Sequence, residues 1–573
     1  MSPTTKHRSR KGGTYVIVLG TAIMVTTLGL VTISSRLIQS QQSVASANAL
    51  QAAANSDAAI RVGLQLIQSN ENWREYGHGT WQSGPMASGN YILSGYDFSD
   101  GILNNDDSQA VTLVATGIQR DARHHKSLTL VPVKQPLDSL RFVICAGKDI
   151  SFTDSKLTFS GTIAANGRVE ESGDSSIDVD VEANDTIIGD DYLKTTTSQV
   201  GSKLLPSVAD VMAEYEATAT VIDIDDLPTS TPNLFRDPDM EDGHGLWTNS
   251  WETGHECEVR RSTETAHAGS RSLEVTDRNY ASDGPAYYLT HVLESDRSYD
   301  VSCWVKMSWG TRVRFALNTN SGSGDEWVRS GWQTVGTSWT NVAATIDAPQ
   351  WDGLLDRAML KIETDPTYGR PSFYMDAVAI VGTGSTASIT HACLSDQENP
   401  FGSVDPNGRY VIDCDSNDLR IEHTRLRGTL IIKNAGRVTI GPGPVHWEPL
   451  RLNIPTLLCD GQIELRFGVR ALSEYLNNVN YNGATPFSII GIDSDRDAVY
   501  PSRIHGLIMT ERSVNLTGSL HLFDAAIVAT DDVVLTDAAV DMTGNSLLQA
   551  SPPPSMTRTE LRLLRGGAAP RAD

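Results

Sequence analysis

Cysteine is scarce in this chain. There are six in 573 residues, and no two stand in a C-x-x-C spacing, so neither a zinc ribbon nor a thiol redox motif is encoded. Catalytic signatures are missing too. The sequence holds no G-x-S-x-G, no glycine-rich loop ending in Gly-Lys, and no H-E-x-x-H, since the HECEV at His255 lacks the second histidine. A nucleophile-elbow hydrolase, a P-loop nucleotidase and a zincin are thereby excluded. Positive charge is also in short supply: 46 Lys and Arg stand against 70 Asp and Glu, a net charge of -24. Four of those cations, Lys6, Arg8, Arg10 and Lys11, crowd the first thirteen residues, so the remainder carries -28. A surface of that sign repels nucleic acid phosphates, and nucleic acid is not expected as a partner.

One long apolar run is present, YVIVLGTAIMVTTLGLVTI from Tyr15 to Ile33. Its nineteen residues span about 28 Å as a helix, enough for the hydrocarbon core of a bilayer. Cations before it and the single Arg36 after it leave residue 1 inside and the bulk of the chain periplasmic or extracellular, as a single-pass protein of the cell envelope. A cleaved secretory signal is the competing reading, against which stand the length of the run and the lack of a clear A-x-A site. The next stretch, QSQQSVASANALQAAANSDAAIRVGLQLIQ, continues the helix with apolar residues at intervals of three and four. A basic leader, Gly12-Gly13, an apolar segment and an Ala-rich amphipathic helix together resemble the N-terminus of type IV minor pilins and pseudopilins of the PilX kind. The resemblance covers about the first 70 residues. It implies processing between Gly13 and Thr14 and other pilin-type subunits as partners. Major pilins carry a Glu at the fifth position after that cut, and here the residue is Val18. Residues 71–138 then alternate between apolar runs and Gly, Asn and Asp corners, which predicts a small pilin-like β meander.

Eight of the eleven tryptophans fall between Trp247 and Trp351, inside a block bounded by the small-residue linkers LPTSTP and GTGSTAS. Strand-sized runs separated by Gly, Asp, Asn and Ser predict a jelly-roll β-sandwich over residues 232–384. NLFRDPDMEDG, HAGSRSLEV, DGPA, SYDVSCWVKM, SWTNVAATI and FYMDAVAIVG resemble, in order and spacing, carbohydrate-binding modules of families 4, 9 and 22. That resemblance implies a polysaccharide partner and a structural Ca2+ held by Glu241 and Asp376, with backbone oxygens near His267 to Ser270 completing the shell. It also implies sugar contacts from Arg278 and Glu363. Two aromatic platforms of the family are replaced, by Ser282 and Lys361. Tyr280 is placed to substitute on the same strand face as Ser282, and Trp309, Trp327 and Tyr368 are further candidates. Trp304, Trp332 and Trp339 are expected to fill the core.

Residues 139–226 and 389–550 share another texture: short strands with Gly, Asn or Asp at the corners and no helical period beyond Leu204 to Tyr215. Such repetition predicts a β-solenoid that the sandwich interrupts in sequence and that rejoins in space. Solenoids also host polysaccharide-cleaving enzymes. The available acid groups are Asp178 with Asp180, Asp413 with Asp415, and Asp493 with Asp495 and Asp497. They complete no calcium loop and read as surface charge. Six exported cysteines allow fifteen pairings; a Cys257–Cys303 disulfide is expected because both lie in one module, followed by Cys393–Cys414. Residues 551–573, Pro-rich and then basic, are expected to be disordered. The whole is therefore read as mainly β and non-catalytic: a membrane-anchored, pilin-like surface protein that recognises polysaccharide in adhesion. A structural minor pilin or filament cap, with the sandwich as spacer, is the alternative, and a solenoid enzyme a more distant one.

Overall fold

A computed structural model describes residues 13–70, 72–86, 88–104, 109–243, 246–249, 256–295, 297–322, 324–351, 355–468, 470–482 and 495–564. The basic leader and Asp493 lie outside the described residues, as do His255 and the side chains of Gly13 and Thr14. The fold is mainly β with an N-terminal apolar helix. It divides into two compact units, residues 1–135 with 558–573 and residues 136–557.

In the first unit one helix runs from Gly13 to Ser69. It is the one described helix long and apolar enough to cross a membrane. Its first half is bare, with Tyr15 through Ile38 exposed. From Ala52 onward the face made by Ala52, Asn55, Ser56, Ala59 and Ile60 is buried, a spacing of three and four that puts all five on one side of the helix. This face packs on an antiparallel sheet whose strand order is Gly79–Met86, Gly89–Tyr96, Val111–Gln119, Ala122–Pro136, Thr557–Leu563. Contact is backbone-close at Gly117, where a Cβ would stand 2.0 Å from the Ala52 carbonyl oxygen. The strand Thr557–Leu563 corrects the expectation of disorder for residues 551–564; residues 565–573 lie outside the described residues. Its T-R-T-E-L-R-L alternation packs Leu561 on the core under the helix, and the Leu564 amide donates to Thr129 O at 3.1 Å.

The larger unit contains a 21-stranded sheet in which the chain pairs with itself in parallel, coil upon coil. One inward row climbs through Tyr410, Leu430, Leu457, Ile508, Ile527, Ile144, Ile163 and Val181, each the register partner of the next. The step from Ile527 to Ile144 joins the end of the second sequence block to the start of the first. Beside it runs an outward row: Val411, Ile431, Leu458, Met509, Val528, Cys145 and Ala164. It is buried as well, because a second helix, Val208–Glu216, lies on it through Val208, Val211, Met212 and Tyr215. That helix lies on the chain's return from one end of the ladder, at Thr196–Thr197, to the other, where Thr220–Ile222 pairs with Tyr410–Ile412. These strands have two apolar faces, which is why they read as near-continuous hydrophobic runs.

The sandwich is inserted after this return. Its six-stranded sheet has the order Trp247–Thr248, Ala286–Tyr288, Arg357–Thr364, Thr311–Asn320, Asp325–Arg329, with Gln333–Val335 also on Thr311–Asn320. The facing sheet runs Glu258–Ser262, Ser272–Thr276, Phe373–Thr383, Ser298–Met307, Thr340–Asp347. The expected tryptophan core is corrected. Trp247 fills it, stacked on Phe235 with centroids 5.3 Å apart, whereas Trp304, Trp332 and Trp339 are only half-buried. The strand Ser298–Met307 sends Tyr299, Val301, Cys303, Val305 and Met307 inward, so Trp304 must point out, and it stacks on His267. The expected disulfides are corrected too, because all six cysteines are buried thiols. Cys257 sits at the head of the edge strand Glu258–Ser262, and two strands separate that strand from the one bearing Cys303. At about 4.8 Å per strand the two are beyond disulfide reach.

Candidate functional site

The outward face of the six-stranded sheet is where charge concentrates. Pairing places Arg314 opposite Glu363, and sets Lys361, Ala316 and Arg329 in one row and Met359, Asn318 and Trp327 in the next. Period-two alternation sends all of these away from the core residues Val313, Phe315, Leu317, Leu360 and Ile362. At the centre Glu363, 2% exposed, is reached by three cations: Arg314 Nη2 at 2.7 Å, Arg329 Nε at 3.4 Å and Lys361 Nζ at 3.7 Å. Toward the ends Arg312 pairs with Asp365 and Arg357 with Asp325. Five cations and three carboxylates thus share this face, a surplus of two positive charges in a chain of net charge -24. Two indoles serve as platforms for these cations. Arg314 lies 4.3 Å from the Trp332 centroid, and Arg329 and Lys361 lie 4.7 and 4.6 Å from that of Trp327. Arg314 and Arg329 keep a quarter or more of their side-chain surface open to solvent.

The four residues expected to touch sugar are distributed unevenly. Arg278 is a strut: 7% exposed, it donates to the carbonyl oxygens of Asp283 at 2.5 Å, Ala281 at 2.6 Å and Pro371 at 2.9 Å, and to Thr364 Oγ1 at 2.9 Å. Burial pulls its pKa down to about 10, which leaves it charged at neutral pH. Glu363 lies on the candidate face, beneath its cations. Tyr280, 55% exposed, sits in the loop between Ser272–Thr276 and Ala286–Tyr288 instead of on a strand, its amide donating to Asp283 Oδ2 at 2.6 Å. Trp309, 47% exposed, donates Nε1 to Tyr368 O at 3.0 Å, and Arg312 lies over the Tyr368 ring. Trp309 and Tyr368 therefore stand together at the end of the face that Arg312 occupies. Sequence reasoning missed Arg314 and Arg329. The T-R-V-R-F alternation of residues 311–315 was the available signal, since it puts Arg312 and Arg314 on one side of a strand.

Glu241 and Asp376 meet the same turn. Glu241 Oε1 accepts from the amides of Ser270 and Arg271 at 2.6 and 2.8 Å, and Oε2 from Ser270 Oγ at 2.7 Å. These bonds, the Ser270 hydroxyl first, lower its pKa. Asp376, fully buried, accepts from the amides of His267, Ala268 and Ala377 at 2.7 to 2.9 Å; burial raises its pKa. The turn thus presents N–H groups to the two carboxylates, where backbone oxygens were expected. No ion pair neutralises either acid among the described residues. Each carboxylate spends three of about four lone pairs on these donors, which leaves about one lone pair per residue open to a cation.

Residues 232–368 match the carbohydrate binding domain family CBM 4/9. The same region is 24% identical over 162 residues to endo-1,4-beta-xylanase A of Thermotoga maritima, covering 27% of this chain and 14% of that enzyme, and as similar to its Thermotoga neapolitana counterpart. The chain therefore spans about a seventh of the length of these relatives. Among solved structures, the CBM22-1 xylan-binding domain of Paenibacillus barcinonensis Xyn10C is similar at 18% identity, over 27% of this chain and 94% of that domain, with a TM-score of 0.23.

Proposed function

We propose that this protein binds an extracellular polysaccharide of the xylan class on the outward face of its six-stranded sheet, and does so without catalysis. The carrying observation is that a stretch matching a carbohydrate-binding family exposes a face of guanidinium groups and indoles. Guanidinium forks suit carboxylates, so the surplus positive charge favours a chain decorated with acidic sugars over a neutral one. Lys361, at a usual aromatic position, is 3% exposed and lies against Trp327 and Glu363, so the open cations at the centre of the face are Arg314 and Arg329. Tyr280 and Trp309 stand as exposed rings for the remaining sugar faces.

Around this reading we place the finer parts. The apolar helix anchors the chain in the cell envelope as a minor pilin would, with processing between Gly13 and Thr14, and the coiled parallel ladder is a β-solenoid stem that presents the sandwich in adhesion. Glu241 and Asp376 hold a structural Ca2+ that staples the turn His267–Arg271. The test is binding of full-length protein, purified in detergent, to glucuronic-acid-bearing xylan, neutral xylan and unrelated polysaccharides. Tight, salt-sensitive binding to the acidic xylan that weakens in Arg314→Ala and Arg329→Ala is the expected result. No binding to any polysaccharide would leave the structural minor pilin as the reading. For the N-terminus, mass spectrometry of the native protein should find a chain that starts at Thr14; an intact Met1 refutes processing.

A further inference from the structure

The joint between the sandwich and the parallel ladder buries more unsatisfied polar groups than a packing contact explains. Glu294, from the sandwich loop before Ser298–Met307, is 1% exposed; Glu422 and His423, at the end of the ladder strand Leu419–Glu422, are 0% and 2% exposed. Two arginines bind the carboxylates along one edge. Arg297 Nη1 lies 2.5 Å from Glu294 Oε2 and 3.4 Å from Glu422 Oε1, and Arg420 Nη1 lies 3.1 and 3.6 Å from the same two oxygens. The other edge is unclaimed. Glu294 Oε1, Glu422 Oε2 and His423 Nδ1 are all buried without a hydrogen-bond partner. Ligand atoms of these three residues lie within 4.8 Å of one another, and a cavity of about 40 Å3 lined by Glu294, His423 and His291 adjoins them.

We infer that a divalent transition-metal ion of the zinc type occupies this joint, held by Glu294, Glu422 and His423. One imidazole and two carboxylates form a mixed nitrogen and oxygen donor set, which suits zinc and its neighbours and falls well short of the six to eight oxygens calcium takes. The cavity has room for a water as fourth ligand. The guanidiniums neutralise the carboxylates yet occupy only one oxygen of each, so they brace the ligands in the way outer-shell partners do. Since Glu294 comes from the sandwich and the other two from the ladder, the ion rivets one to the other.

The test uses full-length protein in detergent, stripped of metal and then held in excess Ca2+ so that Glu241 and Asp376 cannot take up the probe. Titration with Zn2+ alone against a chromophoric chelator should show one equivalent bound per chain. Substitution with Co2+ should give visible ligand-field bands and no thiolate charge-transfer band. Glu294→Gln and His423→Gln should each abolish stoichiometric binding, Glu294→Gln being near-isosteric should the histidine variant misfold. Failure of the parent protein to bind zinc at micromolar concentration would overturn the inference and leave a water in the cavity. Undiminished binding in a folded Glu294→Gln variant would overturn it equally.

Discussion

Arg278→Ala separates a fold strut from a sugar contact. The side chain spends its guanidinium on four oxygens of its own chain, three of them carbonyls, at 2.5 to 2.9 Å. Hydrogen bonds from a charged donor are worth about 1.5 to 3 kcal/mol net, so four would sum to at least about 6 kcal/mol if they were independent. They are not. Ala281 and Asp283 lie in one loop with the exposed Tyr280, and their carbonyls can turn to water once the arginine is gone. Pro371 O and Thr364, which is 1% exposed, are less free to do so. A loss of about 3 to 4 kcal/mol is expected, among the large effects of single substitutions. Urea unfolding followed by tryptophan fluorescence reads it, because eight of the eleven indoles lie in this module. Polysaccharide affinity of the folded variant, measured well below its midpoint, should be unchanged. A midpoint shift worth less than about 1 kcal/mol together with lost binding would refute the strut and restore Arg278 as a ligand contact.

Four further outcomes follow from the same geometry. Glu448, 3.0 Å from His446 Nε2, has its pKa lowered from 4.5 to about 2, chiefly by that hydrogen bond. Its contribution is present above pH 4.5 and is lost as pH falls toward 2; with its side chain a third exposed, solvent screening cuts the nominal ~3 kcal/mol to roughly half. Glu448→Gln should lower the urea midpoint at pH 7 and leave it unchanged near pH 2. Chelation of calcium should lower the sandwich's melting temperature in the parent protein and not in Glu241→Gln; an unchanged parent removes the ion from that turn. A reductant should leave melting unaltered and thiol reagents should react slowly under native conditions, since burial holds the Cys145 and Cys393 thiols at a pKa of about 12. Ile527→Ala should cost about 3 kcal/mol and raise proteolytic cutting at the seam with Ile144; wild-type resistance would mean the two blocks do not depend on that pairing.

What could be read in advance was periodicity. Alternation marked the strands, runs of three and four marked both longer helices, and the linkers around residues 232–384 set off a module that matches a carbohydrate-binding family. Face assignment was the weak point, because it depends on register. Trp304 looks like core by composition and points out by parity. Arg278 and Glu363 look alike as surface charges, yet one braces a loop and the other lies under three cations. The strand Thr557–Leu563 was hidden because its basic residues and preceding prolines resemble a disordered tail, and only its partner strand near Thr129 gives it a place. The joint was unreadable in principle: Glu294 and Glu422 lie in separate sequence blocks, and nothing local announces that they will meet.

That joint also bears on how a bound glycan would be presented. The sandwich leaves the ladder and returns through segments that hydrogen-bond to each other, Ser388 N to Pro228 O and Thr231 N to Gly382 O, both at 2.9 Å. Because the two ends of the insertion are already adjacent, it interrupts the coil at little cost in loop entropy. A linker of that kind usually permits rotation. Here Arg297 reaches Thr229 O on the outgoing segment, Gly382 O on the returning one and Glu422 on the ladder. One buried side chain therefore ties both crossings to the ladder. These contacts are expected to restrict rotation of the sandwich against the ladder.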